Sequence, residues 1–110
     1  YYKNDKKHFF YDGDYVKFLQ QWDKEKKYID FYFFDGPHTY KDQYQSLELA
    51  SNFFRSGTVI LVDDTNWEEP REATMDFINN NNKYKVLHDL KCNHARHPTY
   101  WNGLIIFQKI

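Results

Sequence analysis

Tyr28-Ile29-Asp30-Phe31-Tyr32-Phe33-Phe34-Asp35-Gly36-Pro37-His38 is the apolar run on which the architecture turns, and Gly57-Thr58-Val59-Ile60-Leu61-Val62-Asp63-Asp64-Thr65 is its counterpart. Each is nearly continuous and ends in carboxylates. Such runs mark strands buried on both faces, the habit of parallel sheets in α/β proteins. Ligands of open α/β sheets bind in the crevice beyond the carboxyl ends of the strands. Asp35, His38, Asp63 and Asp64 are therefore expected to meet in one crevice, although the two runs lie far apart in the chain.

Beyond these runs the periodicity changes. Tyr15, Phe18, Leu19 and Trp22 stand at i, i+3, i+4 and i+7, the stripe of an amphipathic helix. Gly36-Pro37 breaks the first strand, and a helix is expected over 40–54, with Tyr40, Tyr44, Leu47, Ala50, Phe53 and Phe54 as its apolar set. Ser56-Gly57 ends it, with Gly57 as a left-handed cap. A strand over 58–62 comes next, rich in β-branched residues. Pro70 sits where a first helical turn tolerates it, and Ala73, Phe77 and Ile78 give that helix an apolar face. The asparagine run at 79–82 falls at its end. Strands are expected over 84–88 and 104–107, with a polar loop between them, and a short one over 8–11 before the first helix. The order β-α-β-α-β-α-β-loop-β predicts one α/β domain over 1–110, with a doubly wound, mostly parallel sheet and an antiparallel last strand.

Composition narrows the class. The chain has 110 residues, 41% hydrophobic and 21% aromatic, which is ample area for one core. A formal net charge of -1 gives no sign of a nucleic-acid or anionic-membrane partner. No apolar run approaches the ~20 residues of a membrane helix. The single cysteine, Cys92, excludes an intrachain disulfide and fits a reducing, cytoplasmic setting. The start, Tyr1-Tyr2-Lys3-Asn4, is polar and lacks an initiator Met, so the chain reads as a piece of a longer protein.

The stretch Asp35-Gly36-Pro37-His38-Thr39-Tyr40 resembles the D-G-x-H-[ST]-Y pattern that ends the fourth strand in small-molecule O-methyltransferases of the class I S-adenosylmethionine-dependent family. The helix through Leu47, the turn at Gly57 and the acidic pair Asp63-Asp64 are similar to that family's next helix, glycine turn and fifth strand end. Gly103-Leu104-Ile105-Ile106-Phe107 is similar to the family's last antiparallel strand. The family's glycine-rich turn after the first strand has no counterpart, nor has the acidic residue after the second. The resemblance thus covers the carboxyl-terminal two thirds of that fold. It implies S-adenosylmethionine as cofactor, bordered by Phe34, Asp35 and Gly36, with Asp14 approaching the adenine amine. It implies Asp35, Asp63 and Asp64 as ligands of Mg²⁺ or another divalent cation, and His38 as general base. The missing strands would leave an apolar edge beside the first strong strand, so a second copy or the missing amino-terminal segment is the expected protein partner.

The residues support this chemistry in their own right. Three carboxylates at adjacent strand ends make a hard oxygen site suited to Mg²⁺ or Ca²⁺, and a neutral His can take a proton from a hydroxyl. Each also has a plainer reading: Asp35 as a loop anchor, His38 as a helix cap. Trp67, Arg96, Tyr100 and Trp101 are expected at the crevice mouth, facing a sugar or phenolic acceptor, although the tryptophans also suit a core edge. Cys92-x-His94-x-x-His97 falls short of the four ligands of a structural zinc site. Two other functions stay open: a non-catalytic module built on an incomplete fold, and a hydroxylase or hydrolase on the same scaffold.

Overall fold

The computed structural model describes residues 11, 13–25, 27–92 and 102–110. Helix α1 (Tyr15–Glu25) leads into strand β1 (Ile29–Phe34), then helix α2 (Tyr40–Ser51), strand β2 (Phe54–Asp63), helix α3 (Glu68–Asn81), and strands β3 (Tyr84–Leu90) and β4 (Leu104–Lys109). The strand expected over 8–11 lies, but for Tyr11, outside the described residues. The sheet order is β1-β2-β4-β3. β1 and β2 run parallel, and β4 runs antiparallel to both of its neighbours, so the sheet is a mixed α/β one and its last strand is antiparallel as expected.

One face of the sheet makes the core. Ile60 and Val62 of β2 and Ile105 and Phe107 of β4 are buried against Leu47 and Ala50 of α2 and Phe77 and Ile78 of α3. Each of these side chains other than Ala50 contributes about 1.5–3 kcal/mol relative to exposure. The stripe on α1 docks at one end: Leu19 is buried, and Tyr15, Phe18 and Trp22 pack around it. Tyr15 Oη donates to Asp42 Oδ1 at 2.9 Å, tying α1 to the first turn of α2.

Two expectations fail in an instructive way. β1 is not buried on both faces, because Phe31 is 58% and Phe33 49% exposed. Tyr32 and Phe34 point instead into the helix layer, Tyr32 Oη reaching Ser46 O and Phe34 packing on Tyr15. The helix expected over 40–54 stops at Ser51, with Asn52 as its C-cap. Phe53 and Phe54 are still buried, but as the entry to β2. An apolar pair after a helix satisfies either period, and pairing decided it: Ile29 N donates to Phe53 O at 2.8 Å. Gly57 is accordingly no helix cap. Its φ of +96° serves an irregularity inside β2, where Ile29 faces Phe54 but Phe31 already faces Val59. Thr58 Oγ1 closes that bulge, accepting from Arg55 N at 2.9 Å and donating to Ile29 O at 2.6 Å. The asparagine run has a local reason: Asn82 is the left-handed residue after α3, with φ 51°. No helix among the described residues is long and apolar enough to cross a membrane.

Candidate functional site

β1 and β2 end side by side, with Phe34 opposite Val62. Their exit loops, 35–38 and 64–67, therefore face each other. The first loop is fixed by its helix: Thr39 is the N-cap of α2, its Oγ1 accepting from Asp42 N at 3.1 Å and donating to Asp42 Oδ2 at 2.8 Å. The bond from Thr39, and next that from Tyr15, hold the Asp42 carboxyl below its usual pKa. This cap places His38 one residue before it, at the mouth of α2. In the second loop Asp64 adopts φ 60°, a left-handed backbone that aspartate tolerates better than most residues. Trp67 N donates to Asp64 O at 3.1 Å, and Trp67 becomes the N-cap of α3.

The two loops meet through their side chains. His38 Nε2 lies 2.7 Å from Asp64 Oδ2, with the imidazole 44% and the carboxylate 10% exposed. The Trp67 ring stands edge-on to the imidazole, centroids 4.4 Å apart at 87°. Ligand atoms of Asp35, His38 and Asp64 all lie within 4.8 Å of one another. Asp63, the remaining expected ligand, stands beside this trio rather than within it. Its Oδ1 accepts the Asp64 amide at 2.8 Å. Burial is the main cause that raises its pKa, and the nearby Asp64 and Asp35 charges add to the effect.

Of the residues expected to border a cofactor, Phe34, Asp35 and Gly36 lie at this strand end. Phe34 is buried, and its ring folds over Gly36, where an added Cβ would lie 2.6 Å from the ring tip. Tyr15, next to Asp14, packs edge-on to Phe34 at 5.4 Å. Asp14 itself works as a cap, its Oδ1 accepting Val16 N at 2.8 Å. Trp67 is 42% exposed beside the imidazole. Arg96, Tyr100 and Trp101, and with them His94 and His97, lie outside the described residues. Cys92 is engaged by Asn66, whose Nδ2 reaches Cys92 O at 2.7 Å.

Sequence reasoning missed Asn102. It is buried, and its Nδ2 donates to Asp64 Oδ1 at 3.2 Å. The signal lay in the antiparallel pairing: Asp63 opposite Leu104 brings the residue two before Leu104 alongside the turn after Asp63. In chemical terms the site is a half-exposed imidazole oriented by a nearly buried carboxylate, with a second carboxylate and an aromatic ring at hand. That arrangement can accept a proton from a bound hydroxyl.

Residues 3–65 match the protein family described as a methyltransferase domain. No curated protein matches the chain. A solved structure from Streptococcus mutans, described as a candidate SAM-dependent methyltransferase, superposes on 87% of this chain with a TM-score of 0.65 at 10% sequence identity. The chain spans 29% of that protein's length. At this identity the likeness concerns the fold.

Proposed function

The chain belongs to the methyltransferase-domain family, and from that membership we propose that it carries the acceptor side of an S-adenosylmethionine-dependent O-methyltransferase acting on a small-molecule hydroxyl of sugar or phenolic type. One observation supports this reading above the others. A half-exposed histidine is held at 2.7 Å by a nearly buried aspartate where two parallel strands end. A solvated surface histidine has no need of such a partner.

S-adenosylmethionine supplies an electrophilic methyl group on a sulfonium. The residues of this chain orient the acceptor and remove its proton. His38 takes the hydroxyl proton as the acceptor oxygen forms its bond to the methyl carbon. With S-adenosylmethionine bound, the sulfur would keep the electron pair of the bond it gives up, and the proton taken by His38 would carry the positive charge that the sulfonium loses. Such a base contributes typically 10²–10⁴-fold. The exposed Trp67 ring next to His38 offers a face on which a sugar or phenol ring stacks. The backbone of 34–36 borders the cofactor in this reading, and the close seat of Phe34 on Gly36 fits a flat surface there.

A divalent cation is the second element of the proposal. Asp35, Asp63 and Asp64 would hold it, and it would polarise the acceptor hydroxyl. The donors fit in kind, because Asp63 sits among like charges that a cation offsets. An ion taking the converging atoms of Asp35, His38 and Asp64 would instead be of the Mn²⁺ or Zn²⁺ type, since imidazole suits those metals. It would also occupy the base.

The test is methyl transfer by the longest natural polypeptide containing this chain, against a panel of sugars and phenols. His38→Gln is expected to lower kcat by about 10²–10⁴-fold with little change in the KM for S-adenosylmethionine. A His38→Gln protein with natural kcat overturns the base role. Undiminished activity after chelation removes the metal. No cofactor binding and no turnover would favour the non-catalytic module.

A further inference from the structure

We propose that Asn102 is a positioning residue that decides, through Asp64, which imidazole nitrogen of His38 is free to take a proton; this rests on the O-methyltransferase reading above. A carboxylate only accepts hydrogen bonds. The 2.7 Å contact between His38 Nε2 and Asp64 Oδ2 therefore places a proton on Nε2 and leaves the Nδ1 lone pair as the basic atom of the neutral ring. The tautomer is set by how firmly Asp64 is aimed, and Asn102 aims it. Its Nδ2 donates to Asp64 Oδ1 at 3.2 Å, so both carboxylate oxygens are engaged, one by each partner.

Asn102 also fixes the turn on which Asp64 sits. Its main-chain oxygen accepts from Asn66 N at 2.6 Å. The same turn is closed by Trp67 N donating to Asp64 O at 3.1 Å. The next residue, Gly103, runs so close that a Cβ on it would lie 2.6 Å from Asn66 N, and its φ is +93°. The chain at 102–103 thus packs directly against the turn and holds it on both main chain and side chain. Trp67, edge-on at 4.4 Å, narrows the rotation left to the imidazole. The geometry has the logic of an Asp–His pair in which the carboxylate holds the ring in one tautomer. Here the carboxylate has a fixed amide behind it.

Asn102→Asp keeps the shape and replaces the amide donor with a second acceptor, which turns the Asp64 carboxylate away. The experiment is ¹⁵N NMR of the His38 imidazole in the longest natural polypeptide containing this chain, in chelator, together with kcat and KM. The natural protein should show the Nε2–H tautomer. Asn102→Asp should raise the Nδ1–H fraction several-fold and lower kcat roughly 10–100-fold, as loss of an orienting outer partner does, with the KM for S-adenosylmethionine within about twofold. A merely structural role would lower folding yield and leave the tautomer of the folded protein unmoved. Asn102→Asp with the natural tautomer and kcat overturns the proposal. If that variant does not fold, the natural protein still decides, because a predominant Nδ1–H tautomer overturns the proposal by itself. The expected tautomer shift in a protein that transfers no methyl group to any acceptor would support the clamp while removing the methyltransferase reading, so the two failures are separable.

Discussion

At the scale of single residues, the site is a set of carboxylates sorted by their neighbours. Asp64 has donors on both oxygens. Asp63 has one backbone donor, is partly buried and faces two like charges, and its pKa rises, chiefly from burial. A carboxyl whose folded pKa lies above its unfolded value opposes folding when ionised. Its stabilising form is the protonated one, present below the unfolded value and lost as pH rises through the folded one. Asp63→Asn should therefore raise thermal stability at neutral pH, by less than about 1 kcal/mol for so partly exposed a group. The gain should fade toward roughly pH 4, where aspartate is protonated in the unfolded chain too. Thermal melts of both proteins across that range measure it, and a variant less stable than the natural protein at neutral pH would refute the assignment.

Among elements, pairing overruled periodicity where the two disagreed. The stripe of α1 was legible because Tyr15, Phe18, Leu19 and Trp22 leave no other period open. The carboxyl ends of β1 and β2 were legible because each apolar run stops at an aspartate. The end of α2 was not, since Phe53-Phe54 reads equally well as a last helical turn or a first strand, and only contact with Ile29 chooses. Asn102 was hidden for a related reason: its partner, Asp64, is found by strand register and not by spacing. The pair joining α3 to β3 was equally invisible. Arg71 Nη1 and Nη2 reach Asp89 Oδ1 and Oδ2 at 3.0 and 2.6 Å, a two-pronged contact that lowers the Asp89 pKa. A carboxyl so lowered stabilises the fold above its unfolded pKa and loses that contribution as pH falls through the folded one. Arg71→Ala should cost about 0.5–1 kcal/mol at neutral pH and nothing once Asp89 is protonated. Urea unfolding at the two pH values tests this, and an equal cost at both would assign the loss to packing of the arginine stem instead.

For the whole molecule, the described sheet has one face under helices and another with exposed rings on its edge strand. Phe31 and Phe33 lie on β1, whose outer edge has no neighbour among the described strands. An exposed, apolar, unpaired edge invites association. Phe31→Lys in this chain should lower concentration-dependent light scattering while changing stability by no more than about 0.5 kcal/mol, as surface substitutions do; unchanged scattering would mean that association runs through another surface. The same edge is adjacent to the site, since β1 leads directly into Asp35 and His38. Everything proposed for the site depends on this strand end serving a methyl donor. Titration calorimetry of S-adenosylmethionine into the longest natural polypeptide containing this chain addresses that point, alongside Gly36→Val, which sets bulk where Phe34 now rests. Saturable binding by the natural protein, lost in a folded Gly36→Val, is the expected outcome. A folded natural protein that gives no saturable heat, or a Gly36→Val that binds unchanged, would show that the strand end does not hold the donor.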